Sequence, residues 1–154
     1  MKLEIKNRFN GNIIYQNEAE SFRALIVAAV KSGANLSGAD LSGAKNLSAL
    51  SGAQTVILPE GPCVGWKKCQ NNIIVKLLIP AKARKSNASG RKCRAEFVKV
   101  LEVFGAEIGV STHDGETIYR KGETVTCNKW EEDRWVECGG GIHFFITREE
   151  AEAY

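Results

Sequence analysis

The sequence lacks any hydrophobic run long enough to cross a membrane. No stretch of about 18 consecutive apolar residues occurs, which excludes a transmembrane helix. The first residues, MKLEIKNRF, alternate charged and apolar side chains and lack the apolar core of a secretory signal. Five cysteines are present, but none forms a CxxC pair, which is typical of free thiols in a reducing compartment. We therefore expect a cytoplasmic protein with no membrane partner.

Acidic residues are almost absent from one 33-residue stretch of the chain. The net charge is only +3, yet residues 67–99 hold ten lysines and arginines against Glu96 alone, a net of +9. Residues 100–154 hold five basic residues against twelve acidic ones, a net of −7. This segregation indicates either an anionic partner or an acidic neighbour within the same fold.

The beginning of the chain predicts a β-hairpin followed by a helix. Residues 2–16 alternate around Asn10-Gly11, a pair typical of a type I′ turn. Asn17 and Glu20 predict an N-cap with a capping box, and Gly33 is placed to end the helix. The apolar positions recur at helical spacing and predict one buried face: Phe22, Leu25, Ile26, Ala29 and Val30.

Short repeats follow this helix. The units ANLSG at 34–38 and ADLSG at 39–43 are in register, and the pattern degrades up to residue 53. The run resembles the pentapeptide-repeat family, whose units wind a right-handed β-helix, and the resemblance implies about one coil. Because one coil cannot bury its apolar face alone, we expect a spacer that packs against its neighbours. The positions that the family points inward are Ala34, Leu36, Ala39 and Leu41.

Beyond Pro59-Glu60-Gly61-Pro62, which predicts a boundary, the pattern changes to short strands and turns. We predict a central strand at 73–79 after a turn at 70–72, a strand at 97–104, a second hairpin at 118–126 and a strand at 142–146. Thr147 and Glu150 predict the capped start of a last short helix.

Four runs in this half carry a second resemblance. GWKKC, VKLLIPAKARKSNASGRKCRAE, YRKGETVT and ECGGGIHFFITREEAEAY occur in this order between Gly65 and Tyr154. They resemble a C-terminal domain of unknown function that accompanies pentapeptide repeats in bacteriophage and prophage proteins. The resemblance implies a phage product in the cytoplasm of an infected bacterial host, where such small proteins counter host defence.

Together these patterns predict an α+β fold with two domains. Residues 1–58 would form a hairpin-helix cap leading into about one pentapeptide-repeat coil, and residues 63–154 a small, mostly-β domain. We also expect a homo-oligomer, because several chains can combine their basic segments around one ligand.

The basic segment 82–94 is the first candidate site. Arginine forks, hydroxyl and amide donors and close-lying glycine backbone are the groups that bind phosphate. A Walker A motif is absent, and so is any aromatic residue between Trp66 and Phe97, so a small anion is favoured over a long nucleic acid. The predicted ligand-binding residues are Lys82, Arg84, Lys85, Ser86, Asn87, Ser89, Arg91, Lys92, Arg94 and, from a later strand, His143.

Residues Cys138–His143, with three consecutive glycines, are the second candidate. The glycines either present backbone N–H groups to an anion or simply form a tight turn, and His143 is either a ligand contact or a structural residue. The cysteine spacings match no zinc motif, and we expect no metal and no cofactor.

Three functions remain open at this point. The leading one is a non-enzymatic binding protein for a phosphate-bearing small molecule, above all a nucleotide signal of host immunity. The second is an inhibitor that docks on a host nucleic-acid-handling defence complex. The third is a nucleotide phosphodiesterase that uses His143 with Arg91 or Arg94.

Overall fold

The computed structural model describes residues 1–41 and 55–154, and these residues are mostly β. No helix among them has the length and hydropathy needed to cross a membrane. Their elements, in chain order, are β1 (Lys2–Lys6), β2 (Ile13–Glu18), α1 (Phe22–Lys31), β3 (Cys63–Lys68), β4 (Ile74–Ile79), β5 (Lys85–Asn87), β6 (Cys93–Ala95), β7 (Phe97–Phe104), β8 (Ile108–Val110), β9 (Ile118–Arg120), β10 (Thr124–Thr126), β11 (Ile142–Phe144) and α2 (Arg148–Ala153).

The chain divides into two compact units. The first consists of Met1–Ile57, Asn87–Arg91 and Asp133–Glu137. The second consists of Leu58–Ser86, Lys92–Glu132 and Cys138–Tyr154. The predicted domains at 1–58 and 63–154 stay a prediction.

The predicted hairpin forms in the first unit, but its turn differs from the expectation. Strands β1 and β2 pair antiparallel, and a register shift after Ile5 brings Lys6 opposite Ile13. The connecting loop is therefore residues 7–12 instead of a two-residue turn at Asn10-Gly11, and of that pair only Gly11 has a positive φ, at 72°. The side-chain carbonyl of Asn7 accepts from two N–H groups of this loop, which stabilises the longer connection.

Helix α1 begins later than predicted. Its N-cap is Ser21, whose hydroxyl accepts from the N–H of Ala24 at 3.1 Å, while Asn17 lies in β2. Gly33 follows the helix with a φ of 75°, as expected for a residue that ends a helix. The predicted apolar face is confirmed, since Leu25, Ile26, Ala29 and Val30 are buried.

The predicted α+β class is wrong, because the described residues are mostly β. The predicted repeat coil is wrong as well, because the described residues do not form one. Among the described residues, nine of the eleven strands follow residue 62, and helices α1 and α2 have only 10 and 6 residues. Residues 34–41 form turns and one isolated bridge, between Asn7 and Ala39, while the repeat units at 42–53 lie outside the described residues. Leu36, Ala39 and Leu41 are nevertheless buried, in the core of the first unit.

A four-stranded antiparallel sheet in the order β10-β7-β4-β3 organises the second unit. The predictions of a central strand at 73–79 and a strand at 97–104 are confirmed. The turn predicted at 70–72 is a short 3₁₀ segment in which Asn71 and Asn72 have φ values of 56° and 59°. Asparagine tolerates this left-handed region better than most residues.

The hairpin predicted at 118–126 is wrong. Strand β9 pairs with β8, whereas β10 pairs with β7. The N–H of Gly122 donates to the carbonyl of Val100 at 2.8 Å, which ties the intervening turn to β7. The turn residues were recognised correctly, but the two strands they join belong to different sheets.

Strand β11 and helix α2 close the chain. In β11, paired with β6, His143 lies opposite Arg94. The predicted cap of α2 is confirmed, because the Thr147 hydroxyl accepts from the Glu150 N–H while the Glu150 carboxylate accepts from the Thr147 N–H.

Candidate functional site

The ten predicted ligand-binding residues are divided between the two units. Asn87, Ser89 and Arg91 belong to the first unit. The second unit holds the other seven: Lys82, Arg84, Lys85, Ser86, Lys92, Arg94 and His143.

Arg94 is a structural residue of the second unit. It is only 2% exposed, and its Nη1 donates to the carbonyls of Glu131 at 2.6 Å and Gly140 at 3.1 Å. Its guanidinium carbon lies 4.6 Å from the centre of the Trp130 ring. The charge that made Arg94 a candidate is thus committed to backbone oxygens and to an aromatic face.

Arg84 is committed to carboxylates. Two of its nitrogens bind the Glu96 carboxylate, at 3.0 and 2.8 Å, and a third binds Glu132. This fork-to-fork geometry leaves Arg84 little capacity for an added anion. This pairing also accounts for part of the charge segregation, because Glu96 and Glu132 are acidic neighbours of Arg84 within the same fold.

The two lysines nearby have different surroundings. Lys85 donates to the backbone carbonyls of Glu60, at 3.3 Å, and Gly61. Lys82 is exposed, and its Nζ lies 5.8 Å from the centre of the Phe97 ring. Ser86, which follows Lys85, has a buried hydroxyl without a hydrogen-bond partner in the described part of the chain.

In the first unit, Asn87 and Ser89 hold backbone segments together. Asn87 is buried, and its Nδ2 donates to the carbonyl of Thr55 at 2.7 Å. The buried Ser89 hydroxyl donates to the carbonyl of Ala39. Arg91 is exposed and lines a cavity of about 340 Å³ in the same unit.

Lys92 and His143 are brought together. Both line a cavity of about 230 Å³, here called the lysine cavity. Lys92 Nζ donates to the hydroxyl of Tyr154 at 2.8 Å. None of the described residues lining this cavity is acidic, and its full lining is Lys67, Lys68, Lys92, Thr112, His113, His143, Phe145 and Tyr154.

Lys67 is a buried residue of this cavity that the sequence did not single out. It is 6% exposed on β3, and its Nζ donates to the carbonyl of His143 at 3.3 Å and lies 5.7 Å from the centre of the Tyr119 ring. Among residues 1–41 and 55–154 it has no carboxylate partner. Burial is the main cause that lowers the pKa of Lys67, and Lys92 lowers it further, while Cys69 and Asp114 act in the opposite direction; removing an ammonium from water is costly when no carboxylate pairs with it directly.

His143 forms one wall of the lysine cavity as a neutral ring. It is 7% exposed, and its Nε2 lies 3.1 Å from the carbonyl of Gly139, which assigns the ring proton to Nε2 because a carbonyl only accepts. Burial, which is the largest cause, and the nearby Lys92, Lys67 and His113 together lower the pKa of His143 to about 3. The ring is therefore neutral at physiological pH.

A second cavity of about 230 Å³, here called the polar cavity, shares Lys67, His113 and His143 with the first. Its other described lining residues include one acid, Asp114, and one further cation, Lys129. Uncharged groups that hydrogen bond through their side chains complete much of the surface, among them Ser111, Thr117, Thr126 and Asn128.

The backbone explains two of the glycines at 139–141. A Cβ on Gly140 would lie 2.3 Å from the carbonyl oxygen of Lys129, which no side chain allows. Gly141 has a φ of 146°, in a region that disfavours other residues. Neither glycine therefore requires an anion to account for it.

Comparison with known proteins identifies a family and no function. No group of three or more His, Cys, Asp or Glu side chains that could hold a metal occurs among residues 1–41 and 55–154. No curated protein and no solved structure matches the chain. Residues 54–151 match a family of unknown function, DUF5758. Because this match covers more than half of the chain, the protein belongs to the DUF5758 family.

Proposed function

We propose that the protein is a non-enzymatic binding protein that holds a small phosphate-bearing ligand in the lysine cavity. The observation that carries this proposal is Lys67, a buried ammonium with one hydrogen bond of 3.3 Å and no ion-pair partner among the described residues. A bound phosphate would supply the missing countercharge and accept further hydrogen bonds from Nζ.

The rest of the cavity supports an anion as the occupant. Lys68 and Lys92 add two more ammonium groups, and no described lining residue opposes them with a carboxylate. Tyr154 adds a hydroxyl that already accepts from Lys92 at 2.8 Å. Concentrated positive charge in a small concave site favours a compact anion over a long polyanion.

Binding without turnover is favoured by the state of His143. A general acid or base works best when its pKa lies near the working pH, but the pKa of His143 is lowered to about 3 by burial and by neighbouring cations. Its Nε2–H is also used by the carbonyl of Gly139. Arg94, one of the two arginines in the phosphodiesterase alternative, is bound to two carbonyls, and the other, Arg91, does not line the lysine cavity.

The proposal extends to the setting that the sequence resemblance implies. There the protein is a phage or prophage product with degenerate pentapeptide repeats, acting in the cytoplasm of a bacterial host. The first ligand class to test in that setting is a nucleotide signal of host immunity, which the protein would sequester. The homo-oligomer expected from the sequence stays a prediction, which light scattering tests.

Replacing Lys92 by methionine should weaken ligand binding about 10-fold, because one charge-assisted hydrogen bond to phosphate is lost. Lys82→Met is the matched control, since Lys82 lies in the same basic segment but does not line the cavity. Isothermal calorimetry measures both variants against inorganic phosphate, ribose 5-phosphate, mononucleotides, cyclic nucleotides and ADP-ribose.

Wild-type protein should bind at least one of these compounds more tightly than about 100 μM, which corresponds to roughly −5.5 kcal/mol. Failure to bind any of them would contradict the proposal, and capture of a host protein with the same indifference to nucleotides would favour the docking inhibitor. A loss of affinity in Lys82→Met but not in Lys92→Met would place the ligand outside the lysine cavity, at the part of the basic segment that contains Lys82.

A further inference from the structure

We infer that the ligand is a phosphate ester whose uncharged, hydroxyl-bearing part occupies the polar cavity, as in a sugar phosphate or a nucleotide. This inference rests on the proposed function and names the ligand class that the same site would select. It excludes inorganic phosphate and polyphosphate as the preferred ligands.

The first argument is size. Each cavity measures about 230 Å³, less than the lower limit of roughly 300 Å³ for ordinary small-molecule sites. One cavity therefore suits a phosphate group, while a complete phosphate ester needs both. Lys67, His113 and His143 line both cavities, and His113 is exposed, so a ligand that passes along His113 contacts the two in turn.

The second argument is charge. The lysine cavity has no acidic residue in its described lining, whereas Asp114 lines the polar cavity. Although partial burial raises the pKa of Asp114, hydrogen bonds from Thr117 and from the Glu116 N–H hold it well below its usual range. This ionised carboxylate offsets the charge of Lys129 in the polar cavity, whereas Lys68 and Lys92 add to the charge of Lys67 in the lysine cavity. Phosphate is therefore favoured in the lysine cavity.

The third argument is hydrogen-bonding capacity. Asp114 accepts two backbone N–H groups, both at 3.1 Å, and the Thr117 hydroxyl, and the Ser111 side chain also hydrogen bonds to it. These partners use about four acceptor positions, so the remaining capacity of the polar cavity lies in its uncharged side chains. Thr126 and Asn128 add a hydroxyl and an amide to the same lining, so both donors and acceptors are present for a polyol or a base.

The inference is tested by calorimetry with three probes: inorganic phosphate, pyrophosphate and ribose 5-phosphate. Wild-type protein should bind ribose 5-phosphate about 10-fold more tightly than inorganic phosphate, the gain expected from one or two good hydrogen bonds. Pyrophosphate should bind no more tightly than phosphate, because its second phosphate would lie beside Asp114.

Variants then locate the gain. Thr126→Val and Asn128→Ala should reduce the affinity for ribose 5-phosphate towards that for phosphate and leave the affinity for phosphate unchanged. Thr124→Val is the matched control, because Thr124 lies on the same strand but does not line the polar cavity. Circular dichroism checks that each variant is folded.

The possible failures are distinguishable. Equal wild-type affinities for phosphate and ribose 5-phosphate would overturn this inference and leave the phosphate site in place. Tighter binding of pyrophosphate than of ribose 5-phosphate would overturn it as well. Absence of binding for all three probes would contradict the proposed function itself.

Discussion

Lys67→Met is expected to weaken the binding of phosphate-bearing ligands about 100-fold while leaving the unliganded protein at least as stable as the wild type. The variant removes the ammonium that has one carbonyl partner and no ion-pair partner among the described residues, so a bound phosphate loses its most desolvated contact. Methionine fills similar space without a buried charge. The His143 carbonyl loses a hydrogen bond of 3.3 Å, but removal of the buried charge outweighs this loss, so the free energy of unfolding without ligand should rise, by about 1 kcal/mol.

The same residue predicts a pH dependence of stability. Burial lowers the pKa of Lys67 below its ordinary value of 10.5, so between these two pKa values the unfolded chain binds more protons than the folded protein. Stability contributed by this group then rises with pH, up to about 10.5. Relative to Lys67→Met, the wild type should gain free energy of unfolding as the pH is raised through this window.

Urea unfolding at neutral and alkaline pH, combined with calorimetry, measures both effects. Lys76→Met is the matched control, because Lys76 is a half-buried lysine of β4 whose Nζ lies 5.4 Å from the Trp66 ring and outside both cavities. It should retain wild-type affinity. If Lys67→Met were strongly destabilised without ligand, the ammonium would be structural and the argument for an anion site would fail.

Arg94→Met should destabilise the protein by about 3 kcal/mol. The substitution removes two hydrogen bonds from a charged group, at 2.6 and 3.1 Å, to the partly buried carbonyls of Glu131 and Gly140, and such bonds contribute about 1.5–3 kcal/mol each. The Gly140 carbonyl keeps the N–H of Glu131 as a donor, which limits the total. It also removes the guanidinium that lies 4.6 Å from the Trp130 ring, although methionine keeps part of that packing.

Arg84→Met provides the comparison for Arg94. Its guanidinium also lies over Trp130, at 5.5 Å, but it is exposed and pairs with carboxylates at the surface, where ion pairs contribute little. Thermal and urea unfolding should therefore show a much smaller change. An Arg94→Met variant that kept wild-type stability but lost ligand affinity would contradict the structural role assigned to Arg94.

Local patterns in the sequence predicted individual elements well. The apolar face of α1, the central strand β4 and the capping box of α2 depend on residues within a few positions of one another, and all three were correct. The pairing of β10 was wrong, because Lys121-Gly122 indicates a reversal of the chain without specifying which strand lies beside the next one. The fold class was wrong because the described residues form many short strands and only short helices, and the repeats do not form a coil among them.

The candidate site was also predicted only in part. Lys92 and His143 were named from the sequence and do line one cavity, whereas Lys67 was missed because it lies 76 positions before His143. One signal was available, the alternation of Gly65 and Lys67 on β3 with Cys69 directly after it. All three are buried in the structure, so a lysine occupies the inward face. Arg94 was misjudged because counting charges does not reveal backbone carbonyls that bind them.

Lysine footprinting tests the central claim, the position of the bound phosphate, most directly. Reductive methylation followed by mass spectrometry would compare the lysines with and without saturating ribose 5-phosphate. The account predicts protection of Lys68 and Lys92, which line the lysine cavity, and an unchanged rate at Lys82, which does not. Protection of Lys82 with Lys68 and Lys92 unchanged, or no protection at any lysine, would contradict it.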